Sequence, residues 1–202
     1  MKSLRFPALT HRGLPHFFTL RQHVSPESSH LPEALRAEGL PAEMVAAEQI
    51  HGVGVAKVGK GDAGQVIPQA DALITGERGV SLVVRVADCG PVWLHCKKTG
   101  AIGLVHSGRK GTELGIVPAT IQAMKKEFGA EPAHMLGFLG PCIRPPHYEV
   151  DFVGGILRQI EAEGVGEIVD SGLCTASDPE RFYSYRREKG QTGRHFAVLA
   201  KM

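Results

Sequence analysis

The sequence from Val80 to Thr112 reads VSLVVRVADCGPVWLHCKKTGAIGLVHSGRKGT, and it predicts the centre of the fold. Residues 80–86 are mostly β-branched and apolar, a pattern that is typical of a buried strand. This run ends abruptly in the polar sequence Asp88-Cys89-Gly90. Because α/β proteins commonly hold reactive groups where strands end, we expect Asp88 and Cys89 to belong to a functional site.

A β-hairpin is predicted directly after this turn. Residues 91–96 form its first strand, the sequence KKTG at 97–100 is a turn signal, and residues 101–105 form the return strand. Since the strands of a hairpin run antiparallel, the return strand brings His106 back towards the end where Cys89 lies. We therefore expect the side chains of Cys89 and His106 to share one site.

Helices and further strands surround this segment without strict alternation. Apolar residues recur at helical spacing from Leu114 to Phe128, which predicts an amphipathic helix that either begins near Pro118 or bends there. A second amphipathic helix is predicted over 151–163. This mixture favours an α/β fold in which a mixed sheet is flanked by helices, with residues 1–202 as a single domain.

Composition and charge argue against several classes of function. Apolar residues make up 43% of the chain and charged residues 22%, which is ordinary for a globular protein. The formal net charge is only +2, so nothing indicates a nucleic-acid or membrane-surface partner. No apolar run approaches the roughly 20 residues that cross a bilayer, and the N-terminal sequence lacks the apolar core of a signal peptide. We therefore expect a cytoplasmic location.

Three side chains are candidates for one site, because each lies where an apolar strand meets a glycine: His51, Cys89 and His106. Two imidazoles and one thiolate suit Zn²⁺, and three protein ligands with an open fourth position are typical of a catalytic zinc. One alternative is a nucleophilic Cys89 with His106 as its base and Asp88 or another polar group to orient the base. The other is an inert, buried cysteine beside two unrelated histidines.

Seven short segments, spread over most of the chain from Glu48 onwards, carry a family resemblance. They are 48–52 (EQIHG), 70–72 (ADA), 87–92 (ADCGPV), 106–112 (HSGRKGT), 139–143 (LGPCI), 148–150 (YEV) and 182–187 (FYSYRR). In content and order they resemble the YfiH-type family, also called laccase-domain or multicopper polyphenol oxidase-like proteins.

The resemblance implies both a fold and a chemistry. The implied fold is related to the catalytic domain of cytotoxic necrotizing factor, and the implied site holds a metal, usually zinc, on His51, Cys89 and His106. The implied activities are phosphorolysis of adenosine, inosine and methylthioadenosine, and deamination of adenosine, with a nucleoside and phosphate as partners. Alternatives are copper-dependent polyphenol oxidation, or a Cys/His hydrolase or amidase that edits peptidoglycan precursors.

Zinc is favoured over copper by the histidine pattern. Thiolate and imidazole suit both metals, but a laccase needs several coppers and many histidines. Beyond His51 and His106 the sequence has no paired His-x-His runs from which such a cluster could be built. A single zinc ion is therefore the expected cofactor, with copper as the alternative.

Phosphate binding requires basic side chains, and Lys110, Arg109 and Arg186 are the candidates. The family's loop usually reads His-Ala-Gly-Trp-Arg-Gly, whereas here Arg109 replaces the Trp and Lys110 replaces the Arg. Because lysine lacks the planar fork of arginine, bidentate recognition at that position is lost. His23 is a further residue that we expect near the site.

Overall fold

A computed structural model describes residues 2–22 and 30–202. In chain order its strands are β1 (Ser3–Leu4), β2 (His16–Thr19), β3 (Met44–Ala47), β4 (Val55–Lys57), β5 (Val66–Ile67), β6 (Ala72–Thr75), β7 (Val80–Val86), β8 (Gly90–Cys96), β9 (Ile102–Ser107), β10 (Met135–Leu139), β11 (Glu167–Asp170) and β12 (His195–Lys201). Its α-helices are α1 (Pro7–Thr10), α2 (Leu31–Ala37), α3 (Arg109–Leu114), α4 (Ile116–Phe128) and α5 (Phe152–Ala162). Within these ranges, no helix combines the length and the apolar character that crossing a membrane requires.

The strands form two six-stranded sheets, each with both parallel and antiparallel pairs. Sheet A has the order β1-β2-β12-β7-β3-β5, and sheet B has the order β11-β10-β8-β9-β6-β4. In sheet A, β7 pairs antiparallel with β12 and parallel with β3. In sheet B, β8 pairs antiparallel with both β9 and β10. The α/β class with mixed strand directions is therefore confirmed.

The prediction of one sheet is wrong, because the chain changes sheet at the Asp88 turn. Strand β7 belongs to sheet A, whereas β8, which starts four residues after β7 ends, belongs to sheet B. All residues of β7 except Arg85 are buried, since sheet B covers one face of sheet A and α2 covers the other. Burial on both faces explains the mostly apolar run, and such a run carries no information on which sheet the next strand joins.

The layers pack in the order α2, sheet A, sheet B, and then α4 with α5. The core between the two sheets contains Phe18, Leu82, Trp93, Leu104 and Phe138. The outer face of sheet B packs on the apolar stripes of α4 and α5, which include Ile121, Met124, Ile156 and Ile160. The outer face of sheet A packs on α2 through Phe17, Val83, Val198, Leu31 and Leu35. Each helix thus buries one apolar stripe, as amphipathic helices do.

The predicted hairpin and the predicted helix start are both confirmed. In the β8–β9 ladder, Gly90 lies opposite Ser107 and Pro91 lies opposite His106, so the return strand ends beside the Asp88 turn. Of the two alternatives for the helix near Pro118, the structure has a helix that begins there, because α4 starts at Ile116. Gly115, with φ of 85°, separates α4 from the short helix α3. A proline in the first turn is tolerated because its missing N–H would have no partner there.

Candidate metal centre and its cavity

Two loops and a strand end bring the predicted ligands together. His51 follows β3, Cys89 lies in the turn between β7 and β8, and His106 lies near the end of β9. One ligand atom from each side chain lies within 4.8 Å of the other two. The Cys89 Sγ atom is 3.9 Å from His51 Nε2, and the two imidazole rings have their centroids 4.8 Å apart. The side chains proposed from the sequence therefore do form one cluster.

Asp71 is the buried carboxylate that holds this cluster, and sequence reasoning did not assign it a role. Its Oδ1 atom accepts a hydrogen bond from the backbone N–H of His51 at 2.9 Å and lies 2.8 Å from His106 Nδ1. Its Oδ2 atom accepts the backbone N–H of Gly52 at 2.7 Å. Burial raises the pKa of this carboxyl group, but the hydrogen bonds from His106 and Gly52 lower it, and the net pKa lies below the ordinary value.

The available signal for Asp71 was its sequence environment. The residue stands in the apolar run Ala70-Asp71-Ala72-Leu73, which continues as strand β6. A buried carboxylate is costly unless it is paired and hydrogen-bonded, so an aspartate inside an apolar run predicts buried donors nearby. The sequence could not name those donors, because His106 is 35 residues further along the chain.

Asp88 lies beside the cluster but makes different contacts from those expected of an orienting group. Its carboxylate accepts hydrogen bonds from Thr175 Oγ1 at 2.6 Å, Ser184 Oγ at 3.0 Å and the backbone N–H of Arg186 at 2.7 Å. The nucleophile hypothesis assigned the orientation of His106 to Asp88 or another polar group, and the carboxylate that contacts His106 is Asp71. Asp88 instead ties the Cys89 turn to the segment 175–186.

The backbone of the turn requires this tie. Asp88 has a φ of 89°, in the left-handed region that non-glycine residues rarely adopt, and His51 has a φ of 61°. Such conformations cost about 1–3 kcal/mol each and persist where surrounding contacts fix them. Here the contacts are the three donors to the Asp88 carboxylate and the His51 N–H that donates to Asp71. Both strained residues directly position a ligand side chain.

The charge states of Cys89 and His106 are coupled. Burial raises the pKa of the Cys89 thiol, but hydrogen bonds from His106 and His51 outweigh burial and lower it to about 6. Burial lowers the pKa of His106, but its hydrogen bonds with Asp71 and Cys89 outweigh burial and raise it to about 9. At neutral pH the metal-free site therefore contains a thiolate beside an imidazolium. A metal ion that binds here must displace the imidazolium proton, so binding will be favoured by rising pH.

The donor set and its spacing fit a tetrahedral zinc ion. With Zn–S near 2.3 Å and Zn–N near 2.0–2.1 Å, a tetrahedral site separates sulfur and nitrogen by about 3.6 Å, close to the 3.9 Å between Cys89 and His51. Because Asp71 engages Nδ1 of His106, Nε2 is the ring nitrogen left for a metal. Among residues 2–22 and 30–202, this is the one group of three or more His, Cys, Asp or Glu side chains placed to hold an ion.

A glycine makes this convergence of loops sterically possible. A Cβ atom added at Gly108 would lie 2.6 Å from the Cys89 Sγ atom, well inside van der Waals contact. Gly108 also precedes α3 in extended conformation, with φ of −89°. The residue is therefore required for close approach to the thiol and not for its backbone angles.

A cavity of about 1360 Å³ opens over the cluster. His51, Asp88, Cys89 and His106 line it, and so do two of the predicted phosphate ligands, Arg109 and Arg186. The third, Lys110, is exposed and is not among the lining residues. His23, also expected near the site, lies outside the described residues.

Aromatic and cationic side chains complete the cavity wall. Tyr148 and Phe152 pack edge to face, with ring centroids 5.9 Å apart. Further lining residues are Arg85, Tyr185, Lys189, Arg194 and Phe196. A wall that combines aromatic rings with positive charge is suited to a ligand that has both a flat ring system and an anionic group.

Comparison with known proteins gives consistent matches. The family described as multi-copper polyphenol oxidoreductase laccase matches residues 20–154 and 150–201. A purine nucleoside phosphorylase of Streptomyces coelicolor is 34% identical over 180 residues, covering 76% of this chain and 73% of the relative. A purine nucleoside phosphorylase of Corynebacterium glutamicum is 37% identical over 186 residues, covering 79% and 74%. The crystal structure of YlmD from Geobacillus stearothermophilus superposes with a TM-score of 0.87 at 26% identity, covering 100% of this chain and 96% of that one.

Proposed function

We propose that this chain, which belongs to the multi-copper polyphenol oxidoreductase laccase family, is a zinc-dependent purine nucleoside phosphorylase, because relatives within reach of its sequence carry the name purine nucleoside phosphorylase. The observation that carries the proposal is the cluster of His51, Cys89 and His106 on the wall of a large cavity, in a chain similar to proteins of that name. Adenosine, inosine and methylthioadenosine are the proposed nucleosides, and inorganic phosphate is the proposed second substrate.

The proposed reaction exchanges one bond at the ribose for another. A phosphate oxygen forms a bond to C1′, while the bond from C1′ to the purine nitrogen breaks and leaves its electron pair on the purine. The purine takes up one proton, which balances the proton that hydrogen phosphate loses on forming the sugar phosphate. No atom changes oxidation state overall, so the reaction needs no added oxidant or reductant. Zinc, when bound, would supply a Lewis acid that stabilises developing negative charge.

The protein's own residues position the reactants and the ligands. Asp71 fixes the tautomer and ring orientation of His106, since the hydrogen bond to Nδ1 leaves Nε2 facing the cluster. Tyr148 and Phe152 offer an aromatic surface against which a purine can stack. The backbone N–H groups of His51 and Gly52 donate hydrogen bonds of 2.9 and 2.7 Å to the Asp71 carboxylate, which hold the loop that carries His51.

The donor set favours one zinc over a laccase-type copper cluster. A multi-copper centre requires several groups of histidine ligands, whereas the described residues provide a single group of three potential ligands. The description of the family as laccases therefore does not extend to the proposed chemistry of this chain. Copper in the same three-ligand site is the alternative that elemental analysis will distinguish.

Elemental analysis combined with a nucleoside assay tests the proposal. We expect about one zinc per chain and release of free base from inosine, adenosine or methylthioadenosine only when phosphate is present. Cys89→Ala should lose both the zinc and the activity. Cys174→Ala is the matched control, because Cys174 is a half-buried free cysteine that does not line the cavity. Full zinc retention in Cys89→Ala, or base release that is independent of phosphate, would refute the proposal.

A second candidate function uses the same residues without a metal. His106 would act as the base that takes the proton of the Cys89 thiol, giving a thiolate nucleophile beside an imidazolium that Asp71 orients, as in a cysteine hydrolase or amidase. The observation that favours it is the pKa of about 6 for the Cys89 thiol. Chelator-treated protein that hydrolyses amide substrates, and loses this activity when Cys89 is alkylated, would support this candidate over the phosphorylase.

Adenosine deamination and the domain assignment belong to the same proposal. Deamination is implied only by the resemblance, and the names of the two relatives compared above mention phosphorylase activity alone. Ammonia release from adenosine in the same assay tests it directly. We also propose that residues 1–202 act as one domain, which is supported by the core shared between sheets A and B. A relation to the catalytic domain of cytotoxic necrotizing factor is part of the proposal and is implied by the family resemblance alone.

A further inference from the structure

The cavity wall carries more positive than negative charge. Five lysine and arginine residues line it, namely Arg85, Arg109, Arg186, Lys189 and Arg194. The two lining acids are Glu48 and Asp88, and both are engaged already. Glu48 accepts the backbone N–H of Gln69 at 2.6 Å, and Asp88 accepts three hydrogen bonds. The excess positive charge indicates that the natural ligand carries an anionic group.

Two of the five cations are neutralised by carboxylates outside the cavity. Arg109 Nε lies 2.9 Å from Glu113 Oε1, and Arg186 forms an ion pair with Glu149. Both belong to the side of the cavity around Tyr148, since the Arg186 guanidinium lies 5.2 Å above the Tyr148 ring. To bind an anion strongly, either arginine would have to share its charge with a carboxylate that it already contacts.

The other three cations have no carboxylate partner within the described part of the chain. These are Arg85, Lys189 and Arg194, and no ion pair within residues 2–22 and 30–202 includes any of them. Arg194 donates only to backbone carbonyls, those of Thr192 at 3.0 Å and Gly193 at 3.1 Å, and so keeps its full positive charge.

Two of these residues, Arg85 and Arg194, come from the sheet A side of the cavity, and Lys189 lines it from the segment before Arg194. Arg85 stands near the end of β7, directly opposite Phe196 in β12, and Arg194 precedes Phe196 by two residues. Tyr148 and Phe152, by contrast, belong to the start of α5 and the segment before it, which packs on the outer face of sheet B. The cavity therefore has, at the edge of sheet A, two arginines without carboxylate partners in the described chain, and two aromatic rings, Tyr148 and Phe152, around the start of α5.

Contacts with Gln49 and Tyr185 hold Arg85 and Arg194 in place before a ligand binds. The side-chain amide of Gln49 donates to the Arg85 carbonyl at 2.6 Å and accepts the Arg85 N–H at 2.8 Å, which fixes the strand end. The Arg194 guanidinium lies 5.6 Å from the centroid of the Tyr185 ring. Arginine held against an aromatic ring loses less conformational freedom when it binds a ligand.

We propose that Arg85, Lys189 and Arg194 form the subsite for the phosphate dianion, in place of the Arg109, Lys110 and Arg186 set expected from the sequence. This inference deepens the proposed function and rests on it. Two guanidinium groups and one ammonium group without carboxylate partners can donate to several phosphate oxygens at once, and arginine does so in bidentate geometry. The nucleoside base then lies on the Tyr148 side, and His51, Cys89 and His106 face the bond between them.

Two sources could supply the phosphate dianion: inorganic phosphate as the attacking group, or the 5′-phosphate of a nucleotide. The proposal commits to inorganic phosphate, because the proposed reaction needs it at C1′ of a nucleoside. Steady-state kinetics separate the two sources. If the subsite binds the attacking group, Arg85→Gln will raise the KM for inorganic phosphate and leave the KM for inosine unchanged. Cleavage of inosine 5′-monophosphate in preference to inosine would overturn the commitment to inorganic phosphate.

Direct binding of inorganic phosphate to the zinc-loaded protein tests the subsite. Isothermal titration at constant ionic strength should show that Arg85→Gln and Arg194→Gln each weaken binding about tenfold, as expected for loss of a charged hydrogen bond. Arg85→Lys should recover part of the loss, which a merely structural role for Arg85 would not predict. Arg78→Gln is the matched control, because Arg78 is exposed, precedes the opposite end of β7 and does not line the cavity. An equal or larger loss in Arg109→Gln than in Arg85→Gln would overturn the proposal.

The binding measurement also distinguishes failure of the subsite from failure of the proposed function. If the unmodified protein binds phosphate and Arg85→Gln does not, the subsite is supported even when no nucleoside is cleaved. In that case the phosphorylase proposal alone fails. Phosphorolysis with an unchanged KM for phosphate in both Arg85→Gln and Arg194→Gln supports the phosphorylase and overturns the subsite. Thermal melts of each variant confirm that the compared proteins are folded.

Discussion

Replacement of Asp71 by asparagine is the sharpest single test of the metal centre. The carboxylate accepts three hydrogen bonds, two on Oδ1 from His51 N–H and His106 Nδ1 and one on Oδ2 from Gly52 N–H. An asparagine side chain has one acceptor oxygen, so its NH₂ group must face at least one of these donors. The substitution keeps the shape of the side chain and removes its charge and one acceptor.

The expected magnitudes follow from these contacts. A buried donor left without its acceptor costs about 1–3 kcal/mol of stability. The ring of His106 also loses the carboxylate that fixes its Nδ1 proton, and loss of such an outer partner typically weakens metal binding about 10- to 100-fold. That factor corresponds to about 1.4–2.7 kcal/mol. We therefore expect Asp71→Asn to fold with reduced stability and to bind zinc at least tenfold more weakly.

Competition with a chromophoric chelator measures the zinc affinity, and urea unfolding of the chelator-treated protein measures the stability separately. Asp62→Asn is the matched control, because Asp62 accepts a single backbone N–H from Gly59 at 2.9 Å, which one amide oxygen can replace. If Asp71→Asn binds zinc within twofold of the unmodified protein, while Cys89→Ala loses it, the positioning role of Asp71 is refuted.

Three further outcomes are expected. Gly108→Ala should expel zinc because its Cβ would lie 2.6 Å from the Cys89 sulfur, whereas Gly61→Ala, with open space around it, should retain zinc in the same elemental analysis. Burial lowers the pKa of His195 from 6.5 to about 4, so the unfolded chain takes up a proton that the folded chain does not. This residue should leave the free energy of unfolding unchanged above pH 6.5 and should lower it by about 3 kcal/mol as the pH drops to 4. An equal pH dependence of the free energy of urea unfolding in His195→Gln would contradict this expectation. Trp93→Ala should cost about 3–5 kcal/mol in unfolding followed by circular dichroism, because the ring is 1% exposed between the sheets. Trp93→Phe should cost about 1–3 kcal/mol, since it leaves the Val198 carbonyl without the indole N–H donor at 2.9 Å.

Much of the local structure and the family followed from the sequence. The buried strand at Val80–Val86, the β8–β9 hairpin and the start of α4 near Pro118 all depend on periodicity and turn residues within a few positions, and all three are confirmed. The hairpin also brought His106 towards Cys89, because antiparallel pairing is a local constraint. The pattern of a strand meeting a glycine added His51 to the pair, and the family resemblance is confirmed.

Only the tertiary structure decided how these pieces are assembled. Whether β8 joins the sheet of β7 or a second sheet depends on packing between residues far apart in sequence, as in the hydrogen bond from Trp93 to Val198. The partner of His106 is Asp71, whereas the nearer candidate Asp88 is engaged by Thr175 and Ser184, 87 and 96 residues away.

The positive charge of the cavity likewise depends partly on the sequence and partly on the tertiary structure. The sequence identifies every arginine, but it cannot show that Arg109 and Arg186 are neutralised by carboxylates while Arg85 and Arg194 have no carboxylate partner in the described chain. Local preferences fix strands, turns and helix starts through contacts of short range. The chemistry of the site depends on which distant side chains share a cavity, and that is set by the packing of the two sheets.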